Sequence, residues 1–226
     1  MHIERATNQT CGVATGVVVA IDVIRAFTTA AFALAAGARD IVPVGTVEQA
    51  LDLRARFPGA LAIGEVDGYP IEGFDFGNSP SALLGQDLAG RRLIQRTSAG
   101  TQGLVRSLKA ETLFAGSFVC AAATARAIAR SAPASVTLVA TGVLPGRDGD
   151  EDIACADYLA ALLRGEPIDT AALVRRVRDS DSGRLFADPA HKVFPTSDLD
   201  LCTDVDRFDF VLRVERRDGL LVMEAS

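Results

Sequence analysis

Through the first 165 residues, short β-branched runs alternate with longer stretches of helical composition, and such a chain buries both faces of its strands best in a parallel or mostly parallel sheet covered by helices. The runs at 17–21, 41–44, 61–64, 92–96, 112–115 and 136–140 are short, bounded by turn chemistry, and read as strands. Between them, 28–36 reads as a helix stopped by Gly37, and Thr46-x-x-Gln49 is a capping box opening a helix that ends near Pro58-Gly59. Ser79-Pro80 pairs an N-cap with proline at the first helical position, and 119–129 and 151–163 have helical composition. Further on, 208–215 and 220–224 flank Arg216-Arg217-Asp218-Gly219, an antiparallel hairpin signal. The stretch 179–206 is polar and without period, and is expected as surface loops and short helices. The expected architecture is a three-layer α/β/α fold with a mostly parallel mixed sheet and a C-terminal antiparallel hairpin, residues 1–226 forming a single domain.

Composition narrows the partners. With 23 Lys+Arg against 29 Asp+Glu the net charge is −6, so no long-range field draws in nucleic acid or an anionic membrane, and any anionic ligand must be held by local groups. The apolar stretches 17–21 and 30–36 are too short or too weakly hydrophobic to span a bilayer. Met1-His2-Ile3-Glu4-Arg5 lacks the regions of a signal peptide, so a cytoplasmic location is expected. Cys11, Cys120, Cys155 and Cys202 are scattered without Cys-x-x-Cys spacing and read as reduced, mostly structural thiols. The charge balance leaves a homo-oligomer open.

The chemistry concentrates where apolar strands stop. In open α/β sheets the carboxyl ends of the strands form the ligand crevice, so polar clusters placed there converge in space. The first is Asp22-Val23-Ile24-Arg25-Ala26-Phe27-Thr28-Thr29: Asp22 can hold Mg²⁺ or act on phosphorus, Arg25 can fork onto phosphoryl or carboxylate oxygens, and Thr28 and Thr29 can present hydroxyls and amides to an anion. The second and third, Gly64-Glu65 and Gly73-Phe74-Asp75-Phe76-Gly77-Asn78-Ser79-Pro80, add the carboxylates of Glu65 and Asp75 and the phosphate-binding candidates Asn78 and Ser79. The fourth, Arg96-Thr97-Ser98-Ala99-Gly100-Thr101, is a hydroxyl-rich turn suited to a phosphate, with Gly116-Ser117 of the same kind. The fifth is Thr141-Gly142, followed by a Pro/Gly-rich loop and Asp150-Glu151-Asp152 at a helix start. Each cluster also has a purely structural reading: Thr28 as an N-cap, Gly-x-Asp as a turn, the first-turn acids as complements to the helix dipole.

Other schemes lack their groups. The histidines, His2 and His191, stand in no metal or triad context, which removes the base of a serine hydrolase or histidine phosphatase. There is no Cys-x5-Arg loop, and the second acid that a haloacid-dehalogenase phosphatase needs two residues after its strand-end Asp is replaced by Ile24.

Taken in order, Asp22-Val23-Ile24-Arg25-Ala26, Gly64-Glu65, Gly73-Phe74-Asp75-Phe76-Gly77-Asn78-Ser79-Pro80, Thr97-Ser98-Ala99-Gly100-Thr101, Gly116-Ser117 and Glu151-Asp152-x-x-Cys155-Ala156 resemble the motifs of the 2-phosphosulfolactate phosphatase (ComB-type) family over most of residues 17–160. The resemblance implies a Mg²⁺-dependent acid phosphatase of α/β/α fold acting on 2-phosphosulfolactate, a step toward coenzyme M. It carries Asp22, Arg25, Glu65, Asp75, Asn78, Ser79, Thr97, Gly100, Thr101, Glu151 and Asp152 over as site residues. Two positions depart from the pattern, Phe27 where a hydroxyl is expected and Ser98-Ala99 in place of Thr-Asn; both fall in loops expected to bind anions, and Phe27 is expected to reshape part of the pocket.

The expected reaction is hydrolysis of the phosphomonoester of a small 2-hydroxy acid. Mg²⁺ would be held by some of Asp22, Glu65, Asp75, Glu151 and Asp152, with Asp22, Arg25, Glu65 and Asp75 at the reacting centre. Arg25, Thr28, Thr29, Asn78, Ser79, Thr97, Ser98, Gly100, Thr101 and Ser117 would bind the substrate. Attack by water and attack by a carboxylate such as Asp22 both remain open. The alternative is a non-catalytic module binding a small phosphorylated or carboxylated metabolite, which several adjacent carboxylates disfavour unless a metal offsets them.

Overall fold

The computed structural model of the chain describes residues 1–188 and 190–226. Its strands are β1 (His2–Thr7), β2 (Gly16–Ile21), β3 (Asp40–Val44), β4 (Leu61–Val66), β5 (Tyr69–Pro70), β6 (Phe76–Gly77), β7 (Arg92–Arg96), β8 (Ala110–Gly116), β9 (Ser135–Ala140), β10 (Leu212–Arg217) and β11 (Leu220–Ala225). Its helices are α1 (Ala26–Ala35), α2 (Val47–Arg56), α3 (Gly100–Arg106), α4 (Ala121–Ser131), α5 (Asp150–Arg164), α6 (Thr170–Asp179), α7 (Asp181–Ala187) and α8 (Thr196–Cys202). The six strands expected before residue 165 all form. Thr46 and Gln49 make the expected reciprocal cap of α2.

Beside the two-residue strands β5 and β6, the longer elements β1 and α6 stand outside what the sequence predicts. β1 (HIERAT) carries only Ile3 and Ala6 as apolar residues without alternation, and lies at a sheet edge, paired on one side with β9. α6 has two buried positions, Leu173 and Val177, a weak apolar stripe. The helix expected after Ser79-Pro80 shrinks to a 3₁₀ turn over Ser81–Leu83, because Gly85 reverses the chain at a φ of 76°.

Among the described residues the strands form one 11-stranded sheet in the order β1-β9-β2-β8-β10-β11-β3-β7-β4-β5, with β6 beside β4. β2 (GVVVAI) is apolar throughout because it lies between parallel β8 and β9 and is covered on both faces. One core packs α1 and α3 onto Val18, Ala20, Leu113, Ile41, Leu93 and Met223. On the other face α4 and α5 cover Val17, Val19, Ile21 and Leu138, and α2 covers Val42, Val44 and Ile94. The result is three layers.

The hairpin β10–β11 forms as expected, but within the sheet: it joins the parallel set β1-β9-β2-β8 to the parallel set β3-β7-β4. Its three antiparallel joints make β2 and β7 run in opposite senses five steps apart. At about 20–25° of twist per step the sheet turns through roughly 100–125° over that distance, which brings the two carboxyl ends toward one another. The contact between them is direct. The Gln95 side chain donates to the Ala26 carbonyl at 2.9 Å, and the start of α3 lies against the start of α1.

Candidate active site

The crevice at these carboxyl ends has a volume of about 660 Å³ and is walled by Asp22 and Arg25 from the β2–α1 loop, Glu65 at the end of β4 with Asp67 and Gly68 after it, Asn78, Ser98-Ala99 after β7, the 144–147 loop, and Ser182 and Phe186 of α7. Asp22 is 6% exposed. Its Oδ1 accepts the Ala26 N–H at 2.9 Å, tying the carboxylate to the first turn of α1. Its Oδ2 faces α3 so closely that a Cβ on Gly100 would stand 2.8 Å away, which explains glycine at that position.

Glu65, also 6% exposed, crosses from β4 to β7: Oε1 accepts the Ser98 N–H, and Oε2 accepts the Gly68 N–H at 2.6 Å and the Ser98 hydroxyl at 3.1 Å. The preceding Gly64 adopts a φ of 147°, and a Cβ there would lie 1.9 Å from the Arg96 carbonyl oxygen. Glycine at 64 is thus a steric necessity, and it sets the Glu65 carboxylate against the loop after β7.

Glu151 and Asp152 open α5 beneath Asp22. Asp152 accepts the Val23 N–H at 2.8 Å and the Gly142 N–H at 2.7 Å, clamping the loop after β2 to the loop after β9. The Thr141 hydroxyl lies 3.5 Å from Oδ2 of both Asp22 and Asp152. Glu151 accepts the Ser182 hydroxyl through Oε1, while its buried Oε2 has no partner. Burial first, and then Glu65 and Glu151, push the Asp22 carboxyl up to about 7, against the opposing N–H groups of Ala26 and Gly100. Burial raises Glu151 as well, and burial with Asp22 and Glu151 raises Asp152 well above the ordinary carboxylate range.

The expected site residues divide. Asp22, Arg25, Glu65, Asn78 and Ser98 line the crevice. Asp75 stands at the opposite end of β4, accepting the Ala62 N–H at 2.7 Å and pairing with Arg54 of α2, so it is not brought to the other acids. Thr28 and Thr29 are fully buried, and Thr28 donates back to the Val23 carbonyl. Thr97 and Thr101 cap one another, each N–H donating to the other's hydroxyl, and so shape the turn without facing the crevice. Ser117 is buried at the end of β8. Phe27 packs in the core beneath α1, so it does not reshape the pocket.

Arg25 and Ser79 are engaged by a residue that the sequence did not single out. Asp198 of α8, fully buried, pairs with Arg25 at 3.0 Å and accepts the Ser79 hydroxyl at 2.8 Å and the Ser81 hydroxyl at 2.6 Å. Arg25 also donates to the Gly68 and Val193 carbonyls and lies over the rings of Phe186 and Phe194. It is a fixed cation, and 179–206, expected as surface loops and short helices, forms α7 and α8 and supplies a wall of the site. Asn8 is a second addition: its amide donates to the Ala99 and Thr141 carbonyls and joins the loops after β7 and β9.

This arrangement of strand-end acids can be set beside known proteins. A family model described as 2-phosphosulpholactate phosphatase matches residues 1–217. The chain belongs to that family. A protein of Bacillus subtilis (strain 168), described as a probable 2-phosphosulfolactate phosphatase, is 34% identical over 202 residues, covering 89% of this chain and 87% of its own length. Proteins with the same description from Carboxydothermus hydrogenoformans and Deinococcus radiodurans are 33% and 36% identical, covering 92% and 84% of this chain and 90% and 81% of their own lengths. The 2-phosphosulpholactate phosphatase family is by name one of phosphoric monoester hydrolases, and both parallel halves of the sheet fall within the match. Among the described residues no helix is long and apolar enough to cross a membrane.

Proposed function

We propose that the chain is a Mg²⁺-dependent phosphatase that hydrolyses the phosphomonoester of a small 2-hydroxy acid, with 2-phosphosulfolactate, the substrate in its relatives' names, as the first candidate. The observation that carries this reading is the set of buried acids around Asp22, whose carboxyl is pushed up to about 7 by its burial first and then by Glu65 and Glu151. Buried like charges gain nothing unless a cation offsets them.

The donor set suits a hard cation: it is all oxygen, and Glu151 Oε2 has no protein partner. Among the described residues no three His, Cys, Asp or Glu side chains close into a ready-made cage. That agrees with Mg²⁺, which keeps several waters and takes one or two carboxylates together with substrate phosphate. Asp22 and Glu65, which line the crevice, would hold it, with Glu151 nearby, whereas Asp152 is not among the lining residues and clamps the Val23 and Gly142 amides. Bound there, Mg²⁺ supplies charge neutralisation at the phosphoryl oxygens.

The chain's own groups do the rest. The ester P–O bond breaks as an oxygen attacks phosphorus, and the leaving alkoxide takes up a proton to give the hydroxy acid and inorganic phosphate. Asp22 lines the crevice, where its carboxylate can take a proton from attacking water or attack phosphorus itself. Asn78, buried with its carbonyl oxygen unpartnered, offers its amide to the substrate, and the fixed charge of Arg25 lies beside it.

Phosphate release from 2-phosphosulfolactate and 2-phospholactate, measured with Mg²⁺ and with EDTA, tests the proposal. Release with Mg²⁺ that EDTA abolishes supports it. Release unchanged by EDTA removes the metal, and no release from either compound removes the activity.

A further inference from the structure

A phosphorylated, carboxylated substrate approaches a protein of net charge −6 through a crevice lined by Asp22, Glu65, Asp67 and Asp181. The cations among the described lining residues are Arg25 and Arg147. Arg25 is neutralised by Asp198 at 3.0 Å, and two of its N–H groups are given to the Gly68 and Val193 carbonyls. Asp181, across the crevice, is already paired with Arg184 at 2.8 Å. Arg147 differs from both. It sits at the exposed tip of the loop between β9 and α5, and its guanidinium takes part in none of the ion pairs or side-chain hydrogen bonds among the described residues.

The loop holds Arg147 by its backbone. Leu144 and Arg147 exchange main-chain hydrogen bonds, Arg147 donating at 2.9 Å, and Gly146 takes the turn at a φ of 81°. The side chain is therefore presented to the crevice without being needed for the loop. Its planar fork of N–H groups suits a carboxylate or sulfonate, whose oxygens it can meet in pairs.

We propose that Arg147 is a specificity-determining residue that binds the second anionic group of the substrate, the carboxylate or sulfonate carried beside the phosphoester. The inference rests on the phosphatase reading above only for the identity of the substrate. It assigns the rim cation to the non-reacting anion and the buried acids with their metal to the phosphoryl group, so substrates lacking a second anion bypass Arg147.

The test compares the full chain with Arg147→Met and Arg147→Lys in two assays. The first is kcat/KM for 2-phosphosulfolactate, 2-phospholactate and ethyl phosphate with Mg²⁺. The second is calorimetric binding of sulfolactate, which needs no turnover. Arg147→Met is expected to lower kcat/KM for the two acids by about ten- to a hundredfold, mostly through KM, and to leave ethyl phosphate unchanged, in keeping with loss of one charge-assisted contact. Sulfolactate binding should weaken by a similar factor, and Arg147→Lys should restore part of both. Equal losses on all three esters, or unchanged sulfolactate binding in Arg147→Met, would overturn the inference while leaving the phosphatase reading intact. Should the unsubstituted chain release no phosphate, the phosphatase reading fails and the sulfolactate comparison alone decides the role of Arg147.

Discussion

Asp198 and Arg25, 173 residues apart in sequence, meet in an ion pair of 3.0 Å with their side chains 0% and 5% exposed, sandwiched between the 3₁₀ turn after Ser79 and the rings of Phe186 and Phe194. Removing one partner of such a pair leaves a buried charge uncompensated, a loss of about 3–5 kcal/mol. Asp198→Ala is expected to lower the urea midpoint accordingly. Asp198→Asn, which retains acceptors for Ser79 and Ser81, should lose less. Equal, small effects from both would show that the pair contributes little.

Asp22→Asn keeps an acceptor for the Ala26 N–H and removes the charge beside Gly100. The fold should survive, with an unchanged circular dichroism spectrum, while kcat falls by at least about a hundredfold. A folded and fully active Asp22→Asn would show that the reacting centre lies elsewhere.

The acid cluster also sets a pH dependence for the metal-free protein. Asp22 titrates near 7 when folded and near 3.9 when unfolded, so between those values the folded chain holds a proton that the unfolded chain has released. Stability in EDTA should therefore fall as pH rises from about 4 through about 7, and Glu151 and Asp152, shifted in the same direction, add to the fall. Asp40, whose hydrogen bonds from Arg92 and Arg39 outweigh its burial, acts oppositely but at lower pH. Urea midpoints at pH 5 and pH 8 in EDTA measure the slope, and a higher midpoint at pH 8 would contradict it. Added Mg²⁺ should raise the pH 8 midpoint more than the pH 5 midpoint, because bound cation and bound protons compete.

Gly64→Ala should cost at least about 2 kcal/mol, because the new methyl meets the Arg96 carbonyl and the backbone must leave a region that side chains rarely occupy. The displacement separates Glu65 from Ser98, so activity should fall with stability. Gly59, with open space around its Cβ position, is the control: Gly59→Ala should show only the milder strain of its φ of 80°.

The sequence made some of this legible for definite reasons. Asp22 and Glu65 could be found because each directly ends an apolar strand, and strand ends converge. Thr28, Thr97 and Thr101 were read as anion ligands because hydroxyls near helix starts suit that role, yet here they satisfy backbone groups locally. A composition cannot distinguish the two uses. Asp75 resembles Glu65 in type but precedes its strand pairing, and the far end of β4 claims it. Asp198 gave no signal, since a buried acid in an aperiodic stretch gains meaning only when α8 packs against Arg25. The hairpin was visible, but its place in the sheet depends on pairings of few residues with β8 and β3, which no local pattern encodes.

That place gives the site an order of assembly. Asp22 and Thr141 belong to one parallel half of the sheet, Glu65 and Ser98 to the other, and β10 and β11 stand between the halves. A ribosome that has reached residue 211 has made all of these side chains, yet β8 and β3 still present bare edges to one another, the kind of surface that recruits foreign strands. All the crevice acids are thus made before the strands that join the two halves, and a chain stopped at residue 211 would keep every one of them while lacking the span that turns them face to face.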